Sequence, residues 1–329
     1  MAIMITGGAG YIGSHTVKHF LDKQEEVVIV DHLQSGHRKC VEVEYFYEID
    51  IRDQEAMDQV FNNHKIEAVI HFAANSLVGE SMEMPYEYYH NNVYGMMCLL
   101  NIMKDHHVNK IVFSSTAATY GEPTNIPILE ADETNPTNTY GETKLTMEKM
   151  MKWFQQAYGI NYVSLRYFNA AGAHESGEIG EDHTPETHLI PLILQVPLGQ
   201  REKIFVFGND YPTDDGTCIR DYIHVMDLAS AHYLALDYLR KGNRSDIFNL
   251  GNGNGYSVKE VIEVARKVTN HPIPAEVKER RVGDPAMLIA SSEKAKNILG
   301  WKPQFDSLEK IITDAWNWHV HHPTGYSSK

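Results

Sequence analysis

A chain of 329 residues, 43% hydrophobic and 22% charged, has an ordinary globular composition with room for one large core or two lobes, which excludes intrinsic disorder. The formal net charge of −15, with no compensating run of Lys or Arg, excludes a nucleic-acid partner, whose phosphates demand a basic face. Cys40, Cys98 and Cys218 are odd in number and lack metal-type spacing, which suits free thiols in a reducing cytoplasm. The N-terminus enters a strand at once and no apolar run approaches membrane-spanning length, so neither export nor membrane insertion is expected.

Chain order begins with the apolar run Ala2-Ile3-Met4-Ile5, then Thr6-Gly7-Gly8-Ala9-Gly10-Tyr11-Ile12-Gly13, then an amphipathic stretch from Ser14 to Leu21. This succession predicts strand, tight turn and helix. Gly7, Gly10, Tyr11, Ile12 and Gly13 would bring backbone N–H groups up to a pyrophosphate at the positive end of the helix dipole. Further β-rich runs, Val27–Asp31, Val43–Ile49, Ala68–Phe72, Lys110–Ser114 and Tyr162–Arg166, alternate with stretches of helical period. The alternation predicts an α/β fold with a doubly wound parallel sheet. Asp31 closes the second run 18 residues after Gly13, where a carboxylate accepts from an adenosine ribose and repels a 2′-phosphate; the expected cofactor is therefore NAD rather than NADP. An Asp at a strand end also commonly caps the turn that follows. Asp50 and Ile51, ending the third strand, are placed to hold the adenine.

Near mid-chain, Tyr140-Gly141-Glu142-Thr143-Lys144 sets a phenol and an amine four residues apart, on one helical face. A phenol with its ordinary pKa near ~10 is a poor base at neutral pH. A neighbouring ammonium and a cationic nicotinamide ring both favour the phenolate. Ser114-Ser115-Thr116 follows the strand Lys110–Phe113 at the carboxyl edge of the sheet, where a hydroxyl can share the proton. After Asn169 the texture changes, with Gly172, Gly177, Gly180, Pro185, Pro191 and Pro197 breaking the rhythm. The expected division is a Rossmann domain over residues 1–169 and a smaller substrate-binding lobe over 170–329, with a segment at about 220–240 returning to the first.

Together the glycine turn, the Ser/Thr and the Tyr-x-x-x-Lys pair resemble the extended short-chain dehydrogenase/reductase superfamily. Ser114 to Gly121, His71-Phe72-Ala73, Val78-Gly79-Glu80-Ser81, Arg166-Tyr167-Phe168-Asn169, Phe207 to Thr213, Arg220 to Val225, Arg281-x-Gly283-Asp284 and Trp316-x-Trp318-His319 are similar to the UDP-hexose 4-epimerase family within it. The resemblance covers nearly the whole chain.

It implies an NAD-dependent inversion at C4 of a UDP-hexose, UDP-glucose or UDP-galactose, through a 4-keto intermediate. Tyr140 would take the C4 hydroxyl proton, Lys144 would hold the nicotinamide ribose, and Thr116 would bond the reacting oxygen. Phe72, Ala73, Ser114 and Phe168 would line the cofactor. Asn169, His188, Leu189 and Thr116 would meet the sugar, Arg220 and Arg281 the UDP diphosphate, Asp284 a ribose hydroxyl and Phe207 the uracil. Leu288 would stand where relatives that reject N-acetylated sugars carry Tyr, so UDP-N-acetylglucosamine and UDP-N-acetylgalactosamine are expected substrates too. Two departures stand out: Ser76 replaces a Lys that commonly contacts the cofactor, and Thr116 replaces the more frequent Ser.

His319, His321 and His322 end a Trp-bearing helix, where histidines are favourable without any ligand, and no metal is expected. The apolar helices around Tyr88–Met103 and from Tyr140, with Met147, Met150, Met151, Trp153 and Phe154, are either core or the seam of a homodimer, which is the expectation. A dehydratase or decarboxylase on the same scaffold is disfavoured, because Ala117 and Ala118 stand where dehydration needs an acidic pair. A non-catalytic NAD-binding module has no need of Tyr140, Lys144 and Thr116.

Overall fold

The computed structural model describes residues 1–281 and 284–327; Gly283 of the Arg281-x-Gly283-Asp284 motif lies outside the described residues. The apolar runs form strands, and those in the interior of the sheet are covered on both sides, while the half-buried third lies at its edge. They are β1 (Ala2–Thr6), β2 (Val27–Val30), β3 (Tyr45–Tyr47), β4 (Ile66–His71), β5 (Lys110–Thr116) and β6 (Asn161–Tyr167). A seventh strand, Asp246–Leu250, completes one parallel sheet, ordered Asp246–Leu250, β6, β5, β4, β1, β2, β3. Alternate residues divide the core: Ile3, Ile5, Val27 and Ile29 pack toward Phe20, Leu236 and Trp318 on one face, and Met4, Val28 and Val30 toward Met57, Leu99 and Met147 on the other.

The third strand is shorter than the expected Val43–Ile49, and Asp50 and Ile51 follow it in a turn. Asp246–Leu250 was not foreseen. Its five residues follow a polar turn, and nothing local says which sheet they join. The stretch around residues 220–240 is divided: Ile219–His224 stands in a separate four-stranded sheet with Asn169–Ala171, Gly255–Ser257 and Met287–Leu288, while the helix Val225–Arg240 packs on the helix Tyr11–Asp22 against the main sheet. A third apolar cluster, including Ile193, Leu194, Val261, Ile311 and Ala315, holds the C-terminal elements together.

Two helices depend on local signals that also aim the site. Thr139–Tyr158 starts where the Asn138 side chain accepts from the Gly141 N–H at 2.8 Å and stops at Gly159, in the left-handed region at φ 72°. The stretch expected as one apolar helix is α-helical at Pro85–Tyr88 and Gly95–Asp105 with a π-helical turn, Tyr89–Tyr94, between them. That turn buries Asn92, whose amide donates to the Asn75 carbonyl and the Thr143 hydroxyl, both at 3.0 Å. Among the described residues no helix is long and apolar enough to cross a membrane.

Candidate active site

The glycine turn is shaped by contacts that only glycine permits. Gly7 sits at φ 74°, and a Cβ there would lie 2.6 Å from the Ala73 nitrogen; a Cβ on Gly13 would lie 2.1 Å from the Gly7 carbonyl oxygen. The helix beginning at Tyr11 has no side-chain cap and no acidic residue in its first turn, so its N–H groups and dipole remain available to an anion. Asp31 anchors the next loop: its Oδ2 accepts from the Ala9 N–H at 2.9 Å and its Oδ1 from the Leu33 N–H at 2.8 Å. A carboxylate has about four acceptor positions, so a ribose can still be bound. The turn-capping and ribose-binding readings of Asp31 are therefore compatible. Asp50 is held by Arg52, whose Nε donates to Oδ1 at 2.8 Å and whose hydrogen bonding draws the carboxyl below the usual range.

From this turn a cavity of about 900 Å³ runs across the carboxyl edge of the sheet. Its wall includes Gly7, Gly10, Tyr11, Ile12, Gly13, Asp31, Asp50, Ile51, Phe72, Ala73, Ser114 and Phe168 from the expected cofactor set, and Ser76. Thr116, Tyr140 and Lys144 stand at its middle, and Asn169, His188, Arg220, Arg281, Asp284 and Leu288 line its far end. The size suits a nucleotide-sized ligand, and the glycine cradle with Asp31 fits NAD.

Two expected residues fall outside this wall. Leu189 opens the helix Leu189–Leu194 and packs against the third apolar cluster. Phe207 ends the strand Ile204–Phe207 and lies under the Arg281 guanidinium, 4.2 Å from its ring centroid.

The central trio is assembled from two elements. Thr116 ends β5, and its hydroxyl accepts from the Ala118 N–H at 3.2 Å. Tyr140 lies in the first turn of the helix Thr139–Tyr158, which can approach because Gly141 has no side chain: a Cβ there would lie 2.5 Å from the Ala118 carbonyl oxygen. The Tyr140 N–H donates to Ser81 Oγ at 3.1 Å. One turn on, buried Lys144 has its Nζ 5.8 Å from the Tyr140 ring centroid and donates to the Ser114 carbonyl at 2.7 Å.

Burial pushes the Tyr140 phenol up to about 12, with the Thr116 hydroxyl pulling the other way. Burial likewise pushes Lys144 down to about 7, opposed by Glu148. The protein alone thus does not lower the phenol as the sequence predicts, because desolvation disfavours both charged forms before any cationic ring is bound. A phenolate formed at Tyr140 would in turn favour the ammonium of Lys144 one turn away.

Behind the trio lies a buried polar network unmarked in the sequence reading. Arg166 donates to Glu148 from Nε at 3.0 Å and from Nη2 at 2.6 Å, and Ser115 Oγ donates to the same carboxylate at 2.5 Å. Arg166 also covers the Tyr120 ring, whose hydroxyl donates to Asn249 at 2.7 Å. At the far end, an Arg220 Nη2–Asp284 pair forms, and Leu288 pairs in register with Arg220, in the strand Met287–Leu288.

The loop between Asn169–Ala171 and Leu189–Leu194 brings a second group together: the donor atoms of Glu181, His183, Glu186 and His188 all lie within 4.8 Å of one another. Burial alone would lower both imidazoles, yet the facing Glu181 and Glu186 raise His183 to about 9 and His188 to about 10. The spacing Glu-x-His-x-x-Glu-x-His is the signal that could have found it.

Comparison with known proteins places this geometry. The model of the NAD dependent epimerase/dehydratase family matches residues 3–251. The UDP-glucose 4-epimerase of Halalkalibacterium halodurans is 64% identical over 329 residues, 100% of this chain and 98% of that one. A crystal structure of a UDP-glucose 4-epimerase superimposes with TM-score 0.98 at 59% identity over 100% of both chains. That of Bifidobacterium longum, in complex with NAD+ and UDP, superimposes with TM-score 0.93 at 40% identity, over 99% of this chain and 100% of that one.

Proposed function

The chain belongs to the NAD dependent epimerase/dehydratase family, and from that premise we propose that it inverts C4 of UDP-hexoses, interconverting UDP-glucose and UDP-galactose with NAD as its resident cofactor. One observation carries the reading: a single cavity joins the glycine turn and Asp31 to Thr116, Tyr140 and Lys144, and continues to Arg220 and Asp284. NAD would lie along Gly7–Gly13, Asp31 and Lys144 and would supply a hydride acceptor at C4 that returns the same hydride. Tyr140 takes the proton from the C4 hydroxyl and later restores it, the task of a positioned acid–base group. Lys144 stabilises the phenolate by its charge, and Thr116 holds the reacting oxygen. Arg220 and Arg281 retain the diphosphate while the 4-keto sugar presents its other face; a planar guanidinium suits paired phosphate oxygens. His188 has Nδ1 turned to the glutamates, leaving Nε2 for the sugar. Ala117 and Ala118, beside Thr116, offer no acid for dehydration. Incubating purified protein with UDP-galactose and no added NAD should yield UDP-glucose; an inert protein would overturn the proposal.

In this reading residues 1–169, with the returning segment at about 220–240, hold the cofactor and the rest of 170–329 holds the UDP-sugar, and the enzyme works as a cytoplasmic homodimer. Support for the last comes from the free, buried thiols of Cys40, Cys98 and Cys218 and from an exposed apolar groove of about 500 Å³ that includes Tyr86, Tyr89, Tyr94, Met97 and Phe154.

Asp31→Ser should weaken NAD binding about 10- to 100-fold, the worth of a charged hydrogen bond. It should also narrow the preference over NADP, since repulsion of a 2′-phosphate goes with the carboxylate. Equal weakening toward both dinucleotides, measured by titration, would reduce Asp31 to a turn residue. Leu288 is half-buried in the cavity wall beside Arg220, and a Tyr there would fill the space an acetamide needs. Wild type should therefore turn over UDP-N-acetylgalactosamine, and Leu288→Tyr should suppress that reaction about 10-fold or more relative to UDP-galactose. A wild-type enzyme inert toward the N-acetyl sugar would end this assignment.

A further inference from the structure

We propose that Glu181, His183, Glu186 and His188 form a binding site for one divalent transition-metal ion of the zinc class, in the loop that contributes Glu181, His183 and His188 to the cavity wall. The sequence reading expects no metal, so this departs from it, and it stands independently of the epimerase activity. Two imidazoles with two carboxylates are a donor set that suits zinc. Donors about 2.0–2.2 Å from a tetrahedral ion lie roughly 3.3–3.6 Å from one another. In the structure His183 Nδ1 is 3.3 Å from Glu181 Oε1 and 3.6 Å from Glu186 Oε2, and His188 Nδ1 is 3.2 Å from Glu186 Oε1. The His188 Nδ1 to Glu181 Oε1 contact, at 2.7 Å, is closer. Two of these separations match what a tetrahedral ion requires, and a third, at 3.2 Å, falls just short of it.

Hydrogen bonding does not account for the group. Each Nδ1 carries at most one hydrogen yet faces two carboxylate oxygens. The Glu181 side chain is 5% exposed, and its Oε1, like His183 Nδ1, is buried without a hydrogen-bond partner. Glu181 Oε1 meets His188 Nδ1 as a 2.7 Å ion pair without an aligned hydrogen bond, and a cation among the four groups satisfies that oxygen together with both nitrogens.

The surroundings hold the ligands in place, as metal sites require. Glu186 Oε1 accepts from the Thr187 and His188 N–H groups, both at 2.7 Å. Trp318 Nε1 donates to the Glu181 carbonyl at 3.1 Å. Glu181, His183 and His188 also belong to the cavity wall, with Tyr11 of the glycine turn edge-on to His183 at 6.2 Å between ring centroids. His188 is 49% exposed, so ions can enter and leave from the cavity side. The bound ion would tie the loop across residues 181–188 into one unit beside the glycine turn.

The test uses the full-length, NAD-loaded protein, stripped with a chelator and titrated with Zn2+ by calorimetry. Wild type should take up one ion per chain with micromolar or tighter affinity, and Co2+ should show the strong visible d–d spectrum of a four-coordinate site. Glu186→Gln, which keeps the oxygen that accepts the two backbone N–H groups, and His183→Ala should each weaken Zn2+ binding at least 10-fold. Sub-stoichiometric uptake by wild type, a six-coordinate Co2+ spectrum, or equal affinity in a Glu186→Gln/His183→Ala double variant would overturn the site. The wild-type measurements decide the question even if a variant fails to fold, and none depends on epimerase turnover.

Discussion

Tyr140→Phe is expected to cut turnover of UDP-galactose by a factor of about 10² or more while NAD remains bound, since positioned acid–base groups are typically worth that much. The substitution removes only the hydroxyl. The ring stays on the first turn of its helix, and the contacts of that helix, Asn138 to Gly141 and Ser81 to the Tyr140 N–H, do not involve the hydroxyl. Cofactor content measured by absorbance after release should therefore match wild type. Because Lys144 acts through the phenolate it stabilises, Lys144→Met should resemble Tyr140→Phe in lost turnover, and the double variant should be scarcely worse, as for groups that act as a unit. Turnover near wild type in Tyr140→Phe would remove this residue from the chemistry.

Arg166→Met is expected to produce the largest loss of stability, about 3–5 kcal/mol, because it strands the Glu148 carboxylate in the interior. Both side chains are only 4% exposed, and Ser115 alone cannot compensate a buried charge. The measurement is the urea unfolding midpoint, and the internal control is Arg166→Met with Glu148→Leu. Removing both charges should recover most of the loss, since apolar replacement of a whole buried pair is often neutral. If the single variant unfolds with wild-type stability, the pair is not a structural support of the site. Arg166 and Glu148 also share β6 and the Tyr140 helix, so a softened network should raise KM and lower turnover together without moving NAD affinity.

Local order was legible wherever the physics is local. Gly7 and Gly13 announced themselves because a turn that tight excludes any Cβ, and the short apolar runs of β1 and β2, set between turn signals, pointed to strands buried on both faces. Tyr140 and Lys144, four apart, had to share a helical face, and Asp31 had to end its strand beside the glycine turn. These positions followed from chain geometry over a few residues. The resemblance of the linked motifs extended the reading to Arg220, Arg281, Asp284 and Leu288, all of which line the cavity.

What depended on distant chain segments was not legible. The strand Asp246–Leu250 joins the main sheet beside β6 because that edge was open and unpaired after the chain had crossed the second sheet, a choice no local pattern records. Phe207 lies under the guanidinium of Arg281, 74 positions later in the chain, a contact no local pattern records. That burial pushes the Tyr140 phenol up and the Lys144 amine down was not legible either, because desolvation is a property of the assembled interior. The sequence by itself therefore determined the glycine turn, the placing of Tyr140 and Lys144 on one helical face and the parallel sheet, all products of short-range sterics and periodicity. Only the tertiary structure decided which carboxylates and imidazoles face one another, how far each is removed from water, and so what each can bind.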